Sequence, residues 1–225
     1  MKKIVLVTGG NGVLGAGVQA IQNRYKQLNF VFPRQSELDL LSSEQTQTYV
    51  EQLMPAYILH LAAVSGGIGL SMSKPADLLR DNVLMNFNIL EAARRVGVSK
   101  LVMTLSSGMY PEQVKLPISE RSIHDGKPHA SNYSYAFAKR LIQPSIVAYR
   151  QQYGLNVIGL VPNGIYGKHA DFELNSSAMW ASLLRRSCEG LRTANDIIVW
   201  GDGSQLREHT YSEDMARAFI WGMLN

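Results

Sequence analysis

The chain is predicted to be an α/β protein: a Rossmann-like doubly wound parallel sheet followed by a partial, smaller C-terminal substrate-binding lobe. Three observations predict it. A β-branched run at residues 4–8 leads directly into glycines 9, 12 and 15. Short apolar runs then alternate with longer amphipathic stretches, as parallel strands joined by crossover helices require. The alternation breaks after Pro162, where a glycine- and polar-rich stretch begins.

Each element has a local cause. Residues 4–8 form an unbroken apolar run that suits a strand buried on both faces. Residues 14–29 read as a helix and 30–32 as a second strand. Residues 43–54 read as a helix, with Pro55 just beyond its end. The run 57–63 is a third strand. Residues 77–96 form a long helix, apolar at Leu78, Met85, Ile89, Ala92, Ala93 and Val96 and closed by Gly97. Residues 101–105 are a fourth strand. Residues 133–153 are a second long helix, with a kink expected at Pro144. Residues 157–161 are a fifth strand. Beyond lie a loop at 163–175, a helix at 179–189, a strand at 197–200 and a helix from 214 to 223. The expected division is a dinucleotide-binding domain at 1–162 and a partial substrate-binding region at 163–225. The sequence stops inside its last helix with an apolar face to cover, so a missing C-terminal portion is expected.

Composition narrows the class. The chain has 225 residues, 46% of them hydrophobic and 18% charged, which suits an ordinary globular core. No apolar run approaches a membrane span. The basic start Met1-Lys2-Lys3 precedes an apolar run too short for a signal peptide, ending in a glycine turn rather than a cleavage site. The single cysteine, Cys188, excludes an intrachain disulfide and fits a reducing cytoplasm; within its helix it reads as a packing residue. No metal site is read. The net charge of +4 suits either nucleic acid or a small, strongly anionic ligand. The basic residues are scattered, with no run beyond Arg94-Arg95 or Arg185-Arg186, which favours the small ligand.

Glycines 9, 12 and 15 follow a strand and open a helix, the context of a dinucleotide-binding loop. They allow a tight turn and close approach of backbone to a pyrophosphate at the helix N-terminus. The loop residues Gly9, Asn11, Gly12, Val13, Leu14 and Gly15 are candidate cofactor contacts. An acidic residue roughly 20 positions on usually binds the ribose 2′-hydroxyl of NAD. The stretch Phe32-Pro33-Arg34-Gln35-Ser36 offers Arg34 and no carboxylate. A cation there favours a 2′-phosphate, hence NADP(H), although a solvated loop arginine is the plain alternative. Asp39 could accept from the adenine amine.

Tyr135 and Lys139 stand four apart, on one face of the expected helix. A nearby ammonium would lower the pKa of a phenol, ordinarily about 10, and make the pair an acid/base unit. Read alone, the spacing fits packing plus a solvated amine equally well.

Together with His60-Leu61-Ala62-Ala63, Ser65-Gly66-Gly67-Ile68-Gly69, Lys74-Pro75-Ala76-Asp77, Asp81-Asn82, Ser106-Ser107-Gly108-Met109-Tyr110-Pro111 and Trp200-Gly201-Asp202-Gly203-Ser204-Gln205-Leu206-Arg207-Glu208, these residues carry a family resemblance. The chain resembles the extended short-chain dehydrogenase/reductases, the NAD-dependent epimerase/dehydratase family, almost end to end. Within them it is most similar to the GDP-L-fucose synthase branch, whose members epimerise and reduce GDP-4-keto-6-deoxymannose. The resemblance implies that Tyr135 protonates a C4 ketone oxygen as hydride arrives from NADPH, that Ser106 hydrogen-bonds the same oxygen, and that Lys139 tunes Tyr135 and holds the nicotinamide ribose. It implies cofactor contacts from Leu61, Ala62 and Ala63 beside the nicotinamide. Substrate contacts fall to Ser107, Asn163 and Arg207. The implied partner is a GDP-linked keto-deoxy sugar, and the implied assembly a homodimer through the two long helices.

Two positions depart from that pattern. The branch places an epimerising cysteine where this chain has Gly108, and a histidine after an Asn-Ser pair where this chain, aligned through Asn175-Ser176, has Ser177. Serine is a poor base without an activating partner. The expected activity is therefore NADPH-dependent ketone reduction with epimerisation reduced or lost. The alternatives are a bifunctional enzyme with substitute acid/base groups, drawn from His124, His129 or His169, and a dinucleotide-binding protein without turnover.

Overall fold

The computed structural model describes residues 2–173, 177–199, 202–204 and 206–225. Asn175 and Ser176, and Trp200, Gly201 and Gln205 of the second motif, lie outside the described residues.

Five parallel strands form the main sheet in the order β2-β1-β3-β4-β5. They are β1 (Lys3–Thr8), β2 (Leu28–Val31), β3 (Tyr57–His60), β4 (Lys100–Thr104) and β5 (Val157–Leu160). The register places Thr8 beside His60, and His60 beside Met103. The chain order reverses between β1 and β3, where a doubly wound sheet opens a crevice at its carboxyl edge.

Alternate strand residues feed two separate cores. Leu6, Ile58, Leu101 and Met103 pack with Val50 of α2 (Ser43–Leu53), Met85 and Ile89 of α4 (Pro75–Val96) and Ile142 of α6 (Ile142–Tyr153). Val5, Val7, Leu59 and Val102 pack on the other face with α1 (Val13–Ile21) and α8 (Ser212–Leu224). The period-two side-chain alternation of strands thus builds both layers.

Ala216, Phe219, Ile220 and Met223 of α8 are fully buried against the sheet, so its apolar face is covered. Helices α1 and α8 meet so closely that a methyl on Gly17 would collide with the Ser212 carbonyl. The segment 163–225 therefore contributes one helix to the core shared with α1. The rest of it carries α7 (Met179–Thr193) and the paired two-residue strands β6 (Ile165–Tyr166) and β7 (Thr210–Tyr211), the former within an expected loop. Residues 197–199, expected to be a strand, belong to none.

Other differences are local. The expected single helix at 133–153 is two, α5 (Tyr133–Arg140) and α6, broken at Leu141 rather than at Pro144. Pro144 has no N–H to give the Arg140 carbonyl and its ring crowds that oxygen, so the break falls one turn earlier. Helix α1 stops at Ile21, a short turn follows, and β2 begins at Leu28. A short helix, α3 (Ile68–Ser73), was not expected; it starts at Gly67 within a glycine-rich stretch that masks its periodicity. Cys188, expected to pack, is exposed, because α7 buries only Ala181. Among the described residues no helix is long and apolar enough to cross a membrane.

Phe219 is completely buried between α1 and the sheet. Phe219→Ala is expected to cost about 3–5 kcal/mol and to lower Tm by roughly 10 °C, read by thermal denaturation.

Candidate active site

A cleft of about 510 Å³ opens where β1, β3 and β4 end. Its floor is the glycine loop. Gly9 has φ +71°, and a methyl there would sit 2.6 Å from the Ala62 nitrogen; only glycine permits that turn beside β3. Gly12 is the N-cap of α1 and supplies no side-chain cap. The first-turn N–H groups of Val13, Leu14 and Gly15 thus have no partner within the helix and point their positive end at the cleft. These residues fit a pyrophosphate, the anionic centre of a dinucleotide.

Most of the residues singled out in the sequence line this one cleft: Gly9, Asn11, Gly12, Val13, Leu14, Gly15, Asp39, Leu61, Ala62, Ala63, Ser106, Tyr135 and Lys139. Four do not. Arg34 lies on the exposed turn after β2, between the lining residues Pro33 and Gln35. Its N–H donates to Glu37 Oε2 at 2.8 Å, so that turn also carries a carboxylate that the search for an acidic residue overlooked. Ser107 donates to Asn163 Oδ1 at 3.1 Å, and Asn163 Nδ2 to Glu208 Oε2 at 2.9 Å, which joins two of the expected substrate contacts to each other. Arg207 is exposed, and its Nη1 donates to the Leu206 carbonyl rather than reaching the cleft.

The chemistry-bearing groups sit at the β4 end. Lys139 is 1% exposed. Its Nζ donates to the Thr104 carbonyl at 2.8 Å and lies 5.9 Å from the Tyr135 ring centroid. Thr104 Oγ1 donates to the His60 carbonyl at 2.8 Å. His60 is fully buried, with Nε2 3.1 Å from Asn86 Oδ1 and Nδ1 2.8 Å from Thr8 Oγ1. Asn86 Oδ1 can only accept, so Nε2 carries the proton and Nδ1 accepts from Thr8. Thr8 Oγ1 in turn accepts from Ala62 N–H at 3.4 Å. A chain of hydrogen-bonded residues, partly buried, therefore runs from Lys139 to Thr8 at the start of the glycine loop. Thr104, His60, Thr8 and Asn86 had no role in the sequence reading. Their partners are distant in sequence, and only the position of Thr8 and His60 at the tips of two strands hinted at them.

Electrostatics corrects the expected tuning. Burial pushes the Tyr135 phenol up to about 12, against a downward pull from the Ser106 hydroxyl; Lys139 does not bring it down. Tyr135 as a whole is half-buried and lines the cleft. Burial pushes Lys139 down to about 8. His60 is pushed down to about 3, first by burial and then by the Lys139 charge, and stays neutral. At neutral pH the site holds a protonated phenol beside a mostly charged ammonium, a proton donor rather than a base.

At the epimerisation positions, Gly108 is exposed, and a methyl there would lie 2.9 Å from Asn132 Nδ2 and 3.5 Å from Ser106 Oγ. Ser177 is buried, and among the described residues its hydroxyl has no hydrogen-bond partner. Among the described residues no histidine lines the cleft: His124 pairs with Gln143, His129 with Ser131, and His169 is exposed.

A buried ammonium disfavoured relative to water destabilises the folded state below its own pKa. That cost fades as pH rises from about 8 towards the unfolded value of 10.5, because the unfolded chain then holds more protons. Lys139→Met is therefore expected to raise Tm at pH 7 by several degrees. The difference should shrink to near zero by about pH 10.5, as measured by calorimetry across that range.

Residues 5–225 match the NAD dependent epimerase/dehydratase family. The chain is 35% identical over its whole length to a GDP-L-fucose synthase of Dictyostelium discoideum, covering 71% of that protein. It is 31% identical to a GDP-L-colitose synthase of Yersinia pseudotuberculosis, over 98% of this chain and 72% of the other. The crystal structure of a GDP-L-fucose synthetase from Naegleria fowleri bound to NADP superposes with a TM-score of 0.87 at 31% identity, covering 98% of this chain and 72% of that one. With a glycine-loop cleft, a Tyr135/Lys139 helix and a match from residue 5 to residue 225, the chain belongs to the NAD dependent epimerase/dehydratase family.

Proposed function

We propose that this protein is a GDP-sugar oxidoreductase that uses NADPH to reduce the C4 ketone of a GDP-linked 4-keto-6-deoxy sugar, with little epimerase activity. The carrying observation is the protonated Tyr135 phenol, beside Ser106 and Lys139, at the end of a cleft whose glycine loop fits a dinucleotide. Relatives named as GDP-L-fucose and GDP-L-colitose synthases support the GDP-sugar class, and the NADP-bound neighbour supports the cofactor. Arg34 is proposed to meet the 2′-phosphate, with Asp39 towards the adenine and residues 61–63 beside the nicotinamide. Ser107, Asn163 and Arg207 are proposed substrate contacts, with residues 1–162 serving mainly the cofactor and 163–225 mainly the sugar nucleotide. A reducing, cytoplasmic setting suits the exposed Cys188 thiol.

Reduction of a ketone needs a hydride, which bound NADPH supplies, and a proton, which Tyr135 supplies to the carbonyl oxygen. Ser106 Oγ orients that oxygen and shares the developing charge. As the proton leaves, the Ser106 hydroxyl, whose hydrogen bond pulls the phenol pKa down, stabilises the phenolate left behind, and Lys139 is proposed to hold the nicotinamide ribose. Epimerisation would instead require a base to remove a proton beside the ketone and an acid on the opposite face. Gly108 offers neither, and among the described residues Ser177 has no activating partner.

With GDP-4-keto-6-deoxymannose in deuterated buffer, the purified protein is expected to oxidise NADPH in preference to NADH and to leave C3 and C5 free of solvent deuterium. Tyr135→Phe should lower kcat by about 10²–10⁴. Deuterium at C3 or C5 would overturn the reductase-only reading, and NADPH binding without any oxidation would overturn the enzymatic one.

We also propose a homodimer through the outer faces of α4 and α6, where Leu84, Phe87, Val147 and Tyr153 stand exposed. Light scattering should give twice the 25.0 kDa chain mass, falling to one chain mass in Leu84→Glu/Phe87→Glu. A monomeric wild type would sink the proposal.

A further inference from the structure

The space beside Ser106 is not merely vacated at position 108; a specific side chain occupies it. The point where a residue-108 methyl would sit is 2.9 Å from Asn132 Nδ2 and 3.5 Å from Ser106 Oγ. The half-buried Asn132 ends the short turn at 130–132, three residues before Tyr135. Its Oδ1 accepts from Ser71 Oγ at 3.2 Å, and Ser71 is a buried residue of α3. That bond fixes the carboxamide against the helix that leaves the β3 end of the cleft. The other end of the amide, Nδ2, has no hydrogen-bond partner among the described residues. Gly108 is exposed, so the approach to this amide is open.

We infer that Asn132, held by Ser71, is a specificity-determining residue that reads the hydroxyl on the carbon next to the reacting ketone, so that the substrate class is 4-keto sugars retaining a C3 hydroxyl. This rests on the reductase reading, in which Ser106 and Tyr135 hold the ketone oxygen. A group that shares the residue-108 space with Ser106 then faces the substituent vicinal to that oxygen. A carboxamide neither removes nor returns a proton at neutral pH, so its contribution is recognition. A hydroxyl both donates and accepts, and so satisfies the amide whichever way its two ends are turned. A CH₂ at that carbon would leave the amide facing an apolar group, at the cost of an unmade hydrogen bond.

The test compares kcat/KM for NADPH oxidation with GDP-4-keto-6-deoxymannose and with its 3-deoxy counterpart. Wild type is expected to favour the 3-hydroxy ketone by about tenfold. Asn132→Ala should bring the ratio to within about twofold, with the loss falling on the 3-hydroxy substrate and the Kd for NADPH unchanged. Any intrinsic difference in ketone reactivity is common to both proteins and cancels. Gly108→Ala gives an independent check, since its methyl would lie 2.9 Å from Asn132 Nδ2, must displace the amide and should reduce the ratio as well. A preference that survives in Asn132→Ala, or a wild type that reduces both ketones equally well, overturns the inference and leaves the reductase reading standing. A wild type that binds NADPH and reduces neither ketone overturns both.

Discussion

A buried ammonium sets the terms for this fold. Lys139 is enclosed by α5, β4 and the end of β3, and among the described residues no carboxylate pairs with it. An unpaired buried charge is among the most costly things a protein can hold. Here the cost is moderated by the Thr104 carbonyl, a dipole that brings no titratable charge of its own. The same ammonium dictates its surroundings. It helps to keep the neighbouring His60 neutral, and a neutral His60 needs one donor and one acceptor partner. Thr8 and Asn86 meet that need, and Thr8 also receives the Ala62 N–H. The spacing between the glycine loop and the end of β3 is thereby linked to the charge on Lys139. Cofactor cradle and proton chemistry share one hydrogen-bonded frame.

That frame explains what the sequence could show. The glycine loop and the Tyr135/Lys139 spacing are local patterns whose geometry follows from a few adjacent residues, so both were legible. The five strands were legible because a parallel sheet writes apolar runs into the chain. The frame between them was not. Lys139 meets Thr104 across 35 positions and Thr8 meets His60 across 52, and no local pattern records such pairings. The expected tuning of Tyr135 failed for a related reason. Spacing along a helix says that two groups share a face; it does not say that burial outweighs their mutual field. Arg207 shows the opposite limit, since its motif is specific yet its side chain points to solvent.

Helix boundaries failed where backbone chemistry competes with side-chain pattern. Pro144 was visible, but its effect falls on the Arg140 carbonyl one turn earlier, so the helix divides at Leu141. The consequence is functional. Helix α5 is left as a separate eight-residue segment that carries Tyr135 and Lys139. It packs on α4 and the turn after β4 rather than following α6.

The distribution of acids and bases along the cleft has a direction. Among the described residues the carboxylate that lines it, Asp39, follows β2, three strands away from Ser106 at the end of β4 in the sheet order. Around Ser106 the groups are a phenol pushed up to about 12, an ammonium, two hydroxyls and the Asn132 amide. Each can donate a hydrogen bond, and none is a ready proton acceptor at neutral pH. A wall of donors favours the step in which negative charge grows on a carbonyl oxygen. It does nothing for the removal of a proton from carbon, which needs an acceptor held close to the C–H. In such a site, one cysteine placed at position 108 would crowd the Asn132 amide and would still lack an acid on the opposite face. The proposed preference for reduction therefore rests on the whole donor set, not on a single missing side chain.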